Sequence, residues 1–274
     1  MTRNELIGTL RAKRSLLCVG LDTEAHLVPS PFRSGPDPVH AFNKAIIDAT
    51  KDLAVAYKVN IAFYEALGAE GWRSLERTLA DVPEECLLIA DAKRGDIGNT
   101  ARKYAEAFFD RLGCDAVTVA PYMGGDSVRP FLGREGKWAI VLGVTSNEGA
   151  LDFQFLPVNG GPQRLFEKVM ARVAEWGTPN DTMFVVGATR PDVLAQARAI
   201  APRHFFLVPG VGAQGGDLEQ VLELGLNEDG GLLINSSRSI LYASKGNDAI
   251  AAARNEAERL RGPMERALRV RGLI

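Results

Sequence analysis

The sequence predicts a single parallel (β/α)8 barrel of the TIM type, and three observations carry that reading. Eight short apolar runs recur along the 274 residues. The stretches between them show helical spacing, and charged residues collect where the runs end. Strand and helix alternating at this length argue for a parallel sheet closed on itself, with its site on the loops after the strands. No linker or low-complexity segment divides the chain, so the barrel is expected to span residues 1–274 as one domain.

In chain order, the opening MTRNELIGTLRAKR is basic, and the apolar run behind it is broken early by Asp22. That run is too short for a signal-peptide core or a membrane span. The strands read as SLLCVGLD (15–22), AVAYKVNIAF (54–63), CLLIADAK (86–93), AVTVAP (116–121), WAIVLGVT (138–145), MFVVGAT (183–189), HFFLVPG (204–210) and GLLINSS (231–237). Their apolar character is continuous rather than alternating, as in strands buried on both faces. The clearest helix follows the third strand, where Ala101, Tyr104, Ala105, Phe108, Phe109 and Leu112 fall on one face. A doubly wound open sheet is the competing architecture, but no G-x-G-x-x-G follows the first strand. Two long irregular pieces, HLVPSPFRSGPDP after strand one and SNEGALDFQFLPVNGGP after strand five, belong to the catalytic side and have the length of lids.

Composition narrows the partners. A net charge of −2 offers no general affinity for nucleic acid or an anionic membrane, so a bound anion must be held locally and a small molecule is the expected partner. Cys18, Cys86 and Cys114 are odd in number and lack paired spacing, which points to reduced packing residues in a cytoplasmic protein. His26, His40 and His204 show no ligand spacing, so no metal site is expected. No histidine is placed to act as base for a serine or cysteine nucleophile.

Polar residues at the strand ends become the candidate site: Asp22, Lys58, Asp91, Lys93, Ser146, Gln214 and Arg238. Lys58 sits among apolar neighbours in AYKVN, and a buried ammonium needs a carboxylate; the strand ending in Asp91 and Lys93 is its neighbour. Two residues apart on a strand, Asp91 and Lys93 share a face with Cα atoms about 6 to 7 Å apart. Asp96 follows Gly95 in the turn, so its partner need not be Lys93 of the same chain. The seventh loop carries Gly210, Gly212, Gly215 and Gly216 just before a helix, and the eighth brings Arg238 beside it. That pairing is suited to phosphate, held by backbone amides, a helix N-terminus and a guanidinium.

The motif Asp91, Lys93, Asp96, with Ile97 and Thr100 behind it, resembles orotidine 5'-phosphate decarboxylases, as do PGVGAQGGD from Pro209 and SRSI from Ser237. The similarity runs from about Ser15 to Ser244 and is greatest to the larger bacterial branch of that family. Magnesium-dependent sugar-phosphate barrels share D-x-K-x-x-D but place a glutamate where this chain has Lys58. The resemblance implies conversion of orotidine 5'-phosphate to uridine 5'-phosphate and CO2 in de novo pyrimidine synthesis, with no cofactor. It gives Lys93 the proton for C6, with Asp91 and Lys58 in its charge network. Asp22 and Lys58 would bind ribose, and Ser146 and Gln214 the pyrimidine, with Pro209 against the base. Gln214 and Arg238 would also bind phosphate, Ile97, Gly215 and Ser237 would contact the substrate, and Asp96 and Thr100 would enter from the second subunit of a homodimer. A non-catalytic nucleotide-binding barrel is the alternative of another class; an intact set of Lys58, Asp91, Lys93 and Asp96 argues against it.

Overall fold

The computed structural model describes residues 1–158, 160–210 and 216–274. Among these, eight parallel strands close in sequence order, with the first paired to both the second and the eighth. They are β1 (Leu17–Gly20), β2 (Ala56–Asn60), β3 (Leu87–Arg94), β4 (Ala116–Val119), β5 (Trp138–Val144), β6 (Thr182–Val186), β7 (Phe205–Pro209) and β8 (Leu232–Ser236). Each falls inside or within one residue of its predicted run. The predicted (β/α)8 class is therefore the observed one.

The helices form the outer layer. α1 (Arg3–Lys13) precedes β1 and begins with a capping box, in which the Thr2 side chain accepts from the Glu5 amide and the Glu5 carboxylate accepts from the Thr2 amide. α2 (Pro38–Thr50) starts with Asp37 as cap and Pro38 in the first turn, where a missing N–H costs nothing. Between β2 and β3 lie α3 (Ile61–Glu65) and α4 (Gly68–Ala80). The second predicted strand was carried through Phe63, and here the structure differs. Asn60 accepts from the Ala62 amide and turns the chain into α3, whose Ile61 and Tyr64 are buried. An apolar run alone does not separate a buried strand from a buried helical turn.

α5 (Gly98–Ala105) is continued by a π-helical stretch, Glu106–Arg111, that places Phe108 and Phe109 both in the core. α6 (Gly125–Val128), α7 (Leu165–Trp176), α8 (Pro191–Ile200), α9 (Leu218–Gly225), α10 (Arg238–Leu241) and α11 (Ala249–Val270) complete the chain. Inside the barrel and between strands and helices runs one apolar core that includes Trp138, Phe184, Phe205 and Phe206. At those strand-length repeats every strand delivers its last residues to the same rim, which positions the site.

Candidate active site

At that rim β3 departs from regular geometry. Its register against β4 jumps from Ala90↔Val117 to Arg94↔Val119, so β3 carries extra residues there. Lys93 lies in this bulge at φ 45°, a conformation unusual for a residue with a Cβ. Its amide donates to Thr118 Oγ1 at 2.8 Å in place of a ladder carbonyl, and the Thr118 hydroxyl donates to Asp91 Oδ1 at 2.9 Å. The expected contact between Asp91 and Lys93 is present, at 2.6 Å, but a strained bulge locked by Thr118 produces it rather than the two-residue repeat of a flat strand.

Lys58 rises from β2 and is 4% exposed. Its ammonium donates to Asp22 Oδ1 and Asp91 Oδ2, both at 3.2 Å. Burial alone would pull its pKa down, but the carboxylates of Asp22 and Asp91 reverse this and hold it above the ordinary lysine value. Burial would likewise push the Asp91 carboxyl up, yet Lys58 and Lys93 bring it down to about 2. The network continues through Asp22, whose Oδ2 accepts from Ser237 Oγ at 2.9 Å, to Asn235, which donates to Ser237 at 3.4 Å. Gly20 permits this approach: a Cβ there would stand 1.9 Å from Ser237 Oγ. Charge and hydrogen bonding thus run unbroken from β8 across β1 and β2 to β4.

Two adjoining cavities open on this array and share Lys58, Asp91 and Pro209. One, of about 300 Å³, is lined by Asp22, Asn60, Asn235, Ser237 and Arg238. The other, of about 560 Å³, lies on the Lys93 side between Leu142, Val185 and Leu207, with Thr145, Ser146 and Asn147 on its rim. The first suits a sugar with a charged end, the second a flat ring. Arg238 is exposed and has no carboxylate partner among the described residues.

The structure therefore brings together Asp22, Lys58, Asp91, Lys93, Ser146, Pro209, Ser237 and Arg238. Ile97 and Thr100 are exposed at the start of α5, turned out of these cavities. Asp96 accepts from the Ile97 amide at 2.7 Å and pairs with no cation among the described residues. Gln214 and Gly215 lie outside the described residues. The expected contribution of the α9 N-terminus to phosphate binding meets competition, because Asp217 already accepts from the Glu219 and Gln220 amides. Sequence reasoning missed Thr118, Asn60 and Asn235. A hydroxyl or amide inside an apolar barrel strand needs a partner, and that was the available signal. Among the described residues no three His, Cys, Asp or Glu side chains group to hold a metal ion.

Comparison with known proteins agrees in sequence and in shape. The chain matches the Orotidine 5'-phosphate decarboxylase / HUMPS family over residues 15–254. It is 52% identical over 268 residues to an orotidine 5'-phosphate decarboxylase of Christiangramia forsetii, covering 96% of this chain and 97% of that one. One from Bacteroides fragilis is 49% identical over 272 residues, covering 98% and 99%. The structure of the OMP decarboxylase of Leishmania donovani superimposes with a TM-score of 0.81 at 40% identity, covering 96% of this chain and 99% of that one. With the charged array at the strand ends and relatives matched along almost their whole length, the chain belongs to the orotidine 5'-phosphate decarboxylase / HUMPS family.

Proposed function

We propose that this protein converts orotidine 5'-phosphate to uridine 5'-phosphate and CO2, the closing step of de novo pyrimidine synthesis, without a cofactor. The observation that carries the reading is the Lys58–Asp91–Lys93 array at the junction of a polar and an apolar cavity. Lys58 also argues against the magnesium-dependent sugar-phosphate reading, since a buried ammonium at the end of β2 repels a cation.

The pyrimidine enters the apolar cavity with C6 toward Lys93, and ribose and phosphate lie in the other, between Asp22, Lys58, Ser237 and Arg238. When the C6–carboxylate bond breaks, its electron pair remains on C6, where little resonance disperses it. The ammonium of Lys93 stabilises that charge as it develops and then donates its proton to C6. The neutral amine is reprotonated from water. Asp91, held ionised by two lysines, orients the Lys93 ammonium through their 2.6 Å contact. Phosphate contacts remote from C6 supply binding energy that orders the loops around the base.

Lys93 is 51% exposed at its side chain and has one carboxylate neighbour among the described residues. Asp96 has a carboxylate and no cation partner among the described residues. Beside it Ile97 is 54% exposed, and Met123, which lies against Gly95, is 49% exposed. An apolar patch flanking an unpaired acid suits a two-fold interface that delivers Asp96, with Ile97 and Thr100, to the neighbouring pocket. The protein is accordingly read as a homodimer with shared sites. Its buried free thiols, Cys18, Cys86 and Cys114, fit a cytoplasmic enzyme.

The test is to add EDTA-treated protein to orotidine 5'-phosphate and follow product formation by ultraviolet absorbance. Metal-independent turnover is expected. No turnover, or turnover only on restoring magnesium, would contradict the assignment.

A further inference from the structure

The segment after β5 has no repeat or motif that gives it a task, yet it is firmly built into the structure. The Gln154 amide donates to Ala150 O at 2.9 Å, and its carbonyl accepts from the Phe166 amide, also at 2.9 Å, at the start of α7. Pro157 and Arg164 form an antiparallel bridge. Phe155 is flanked by two guanidinium groups, Arg164 at 5.3 Å and Arg190 at 4.5 Å from its ring centre. Arg190 directly follows Thr189, which lines the apolar cavity. These anchors fix the backbone from which the Gln154 side chain extends.

That side chain closes a two-point clasp on Thr145. Gln154 Oε1 accepts from the Thr145 amide, and Gln154 Nε2 donates to Thr145 Oγ1, each at 2.8 Å. The Thr145 hydroxyl in turn donates to Asn147 Oδ1 at 2.6 Å. One carboxamide thus sets the backbone at Thr145 and, through the hydroxyl, the side chain of Asn147. Ser146, between them, is backed by Gly187, where a Cβ would stand 2.8 Å from the Ser146 amide nitrogen. The three residues Thr145, Ser146 and Asn147 all line the cavity beside Lys93.

We propose that Gln154 is a positioning residue for the pyrimidine ring: it holds the Thr145–Asn147 wall in the arrangement that receives the base, and has no part in binding the phosphate. This rests on the assignment of the apolar cavity to the base. Without the clasp, ordering that wall becomes a cost of binding, so ligands that carry a base lose affinity and ligands that lack one do not.

The experiment compares Gln154→Leu and Gln154→Glu with the parent in binding uridine 5'-phosphate and ribose 5-phosphate by titration calorimetry, and in KM and kcat for orotidine 5'-phosphate. Turnover by the parent checks the underlying assignment separately, before any variant is compared. With two hydrogen bonds gone, Gln154→Leu should bind uridine 5'-phosphate about tenfold more weakly and lose kcat/KM by a similar factor. Ribose 5-phosphate affinity should stay within about twofold of the parent, an outcome that a general loosening of the fold does not give. Gln154→Glu keeps the acceptor for the Thr145 amide and loses only the donor, so it should fall between the two. Unchanged uridine 5'-phosphate affinity in Gln154→Leu would overturn the proposal, and so would an equal loss for both ligands.

Discussion

At the base of the barrel Arg198 directs its guanidinium to backbone carbonyls, among them those of Gly225, Ala201, His204 and Gly231, while its Cζ lies 3.7 Å from the Phe206 ring centre. Arg3 donates there to the carbonyls of Pro179 and Arg203 and to Asp229. At the opposite mouth Lys58 and Lys93 face carboxylates, in cavities open to a ligand. The base uses cations to fasten helix ends to strand starts, where their charge does no chemistry. The mouth holds its lysines against carboxylates at the edge of open cavities. Burial of a charge therefore does not mark a site by itself; the kind of partner and the adjoining space do.

The largest effect should come from the mouth. Lys93→Ala should lower kcat by at least about a thousandfold, while the folded protein still binds uridine 5'-phosphate, because the proton acts on the transition state and not on the product. Steady-state kinetics with calorimetric product binding checks this. Near-normal turnover would remove the distinction between the two ends.

Arg198→Met should do the reverse. The carbonyls it serves lose a donor, at a cost of roughly 3 kcal/mol in urea unfolding, while kcat at 25 °C stays close to the parent's. A large fall in kcat with full stability would show that the base takes part in the chemistry.

A smaller effect separates the ends by pH. His204 is buried at the base, and neither ring nitrogen has a hydrogen-bond partner among the described residues. Burial, followed by the charges of Arg3 and Arg198, lowers its pKa from 6.5 to about 4. Between these values the unfolded chain binds the proton and the folded one does not, so stability falls as pH drops through that window. The parent should lose about 2 kcal/mol between pH 7 and pH 5 from this group, and His204→Phe should remove that part. Asp91 is also shifted down, to about 2, but there Lys58 and Lys93 favour the charged form against burial. Its contribution is whole above about pH 4 and is lost only below it. A pH dependence between 7 and 5 that is identical in parent and variant would contradict the role of His204.

Much of the mouth was legible because its residues break a rule visible in sequence. Lys58 stands inside an apolar strand, and Asp91, Lys93 and Asp96 follow one immediately. The closed barrel was legible because eight continuous apolar runs alternate with helical spacing. Other features leave no such mark. Asp-Ala-Lys reads as regular strand, and only the register against β4 reveals the bulge that puts Lys93 at positive φ. Thr118 is an ordinary strand residue until its hydroxyl is seen between Lys93 and Asp91. Asn60 ends β2 early through a local side-chain cap that an apolar count does not weigh. Gln154 acts through a contact with a residue nine positions earlier, set by a loop with no periodic pattern. Arg198 and His204 belong to a fastening that exists only once α8, α9 and the strand starts have met.

The proposal that Asp96 of a second copy supplies Lys93 with a further carboxylate is tested most directly by mixing two inactive variants. Asp91→Ala and Asp96→Ala should each be nearly inactive alone, since each leaves the lysines of every site under-compensated. In a mixed dimer one site collects both defects and the other is intact. With equal amounts and random exchange, half the dimers are mixed and half their sites native, so activity should recover to about a quarter of the parent's. Size-exclusion chromatography of tagged and untagged chains establishes that exchange has occurred. Recovery to that level is the expected result; activity that stays at the level of the separate variants after exchange would place Asp96 in its own chain's site and contradict the shared pocket.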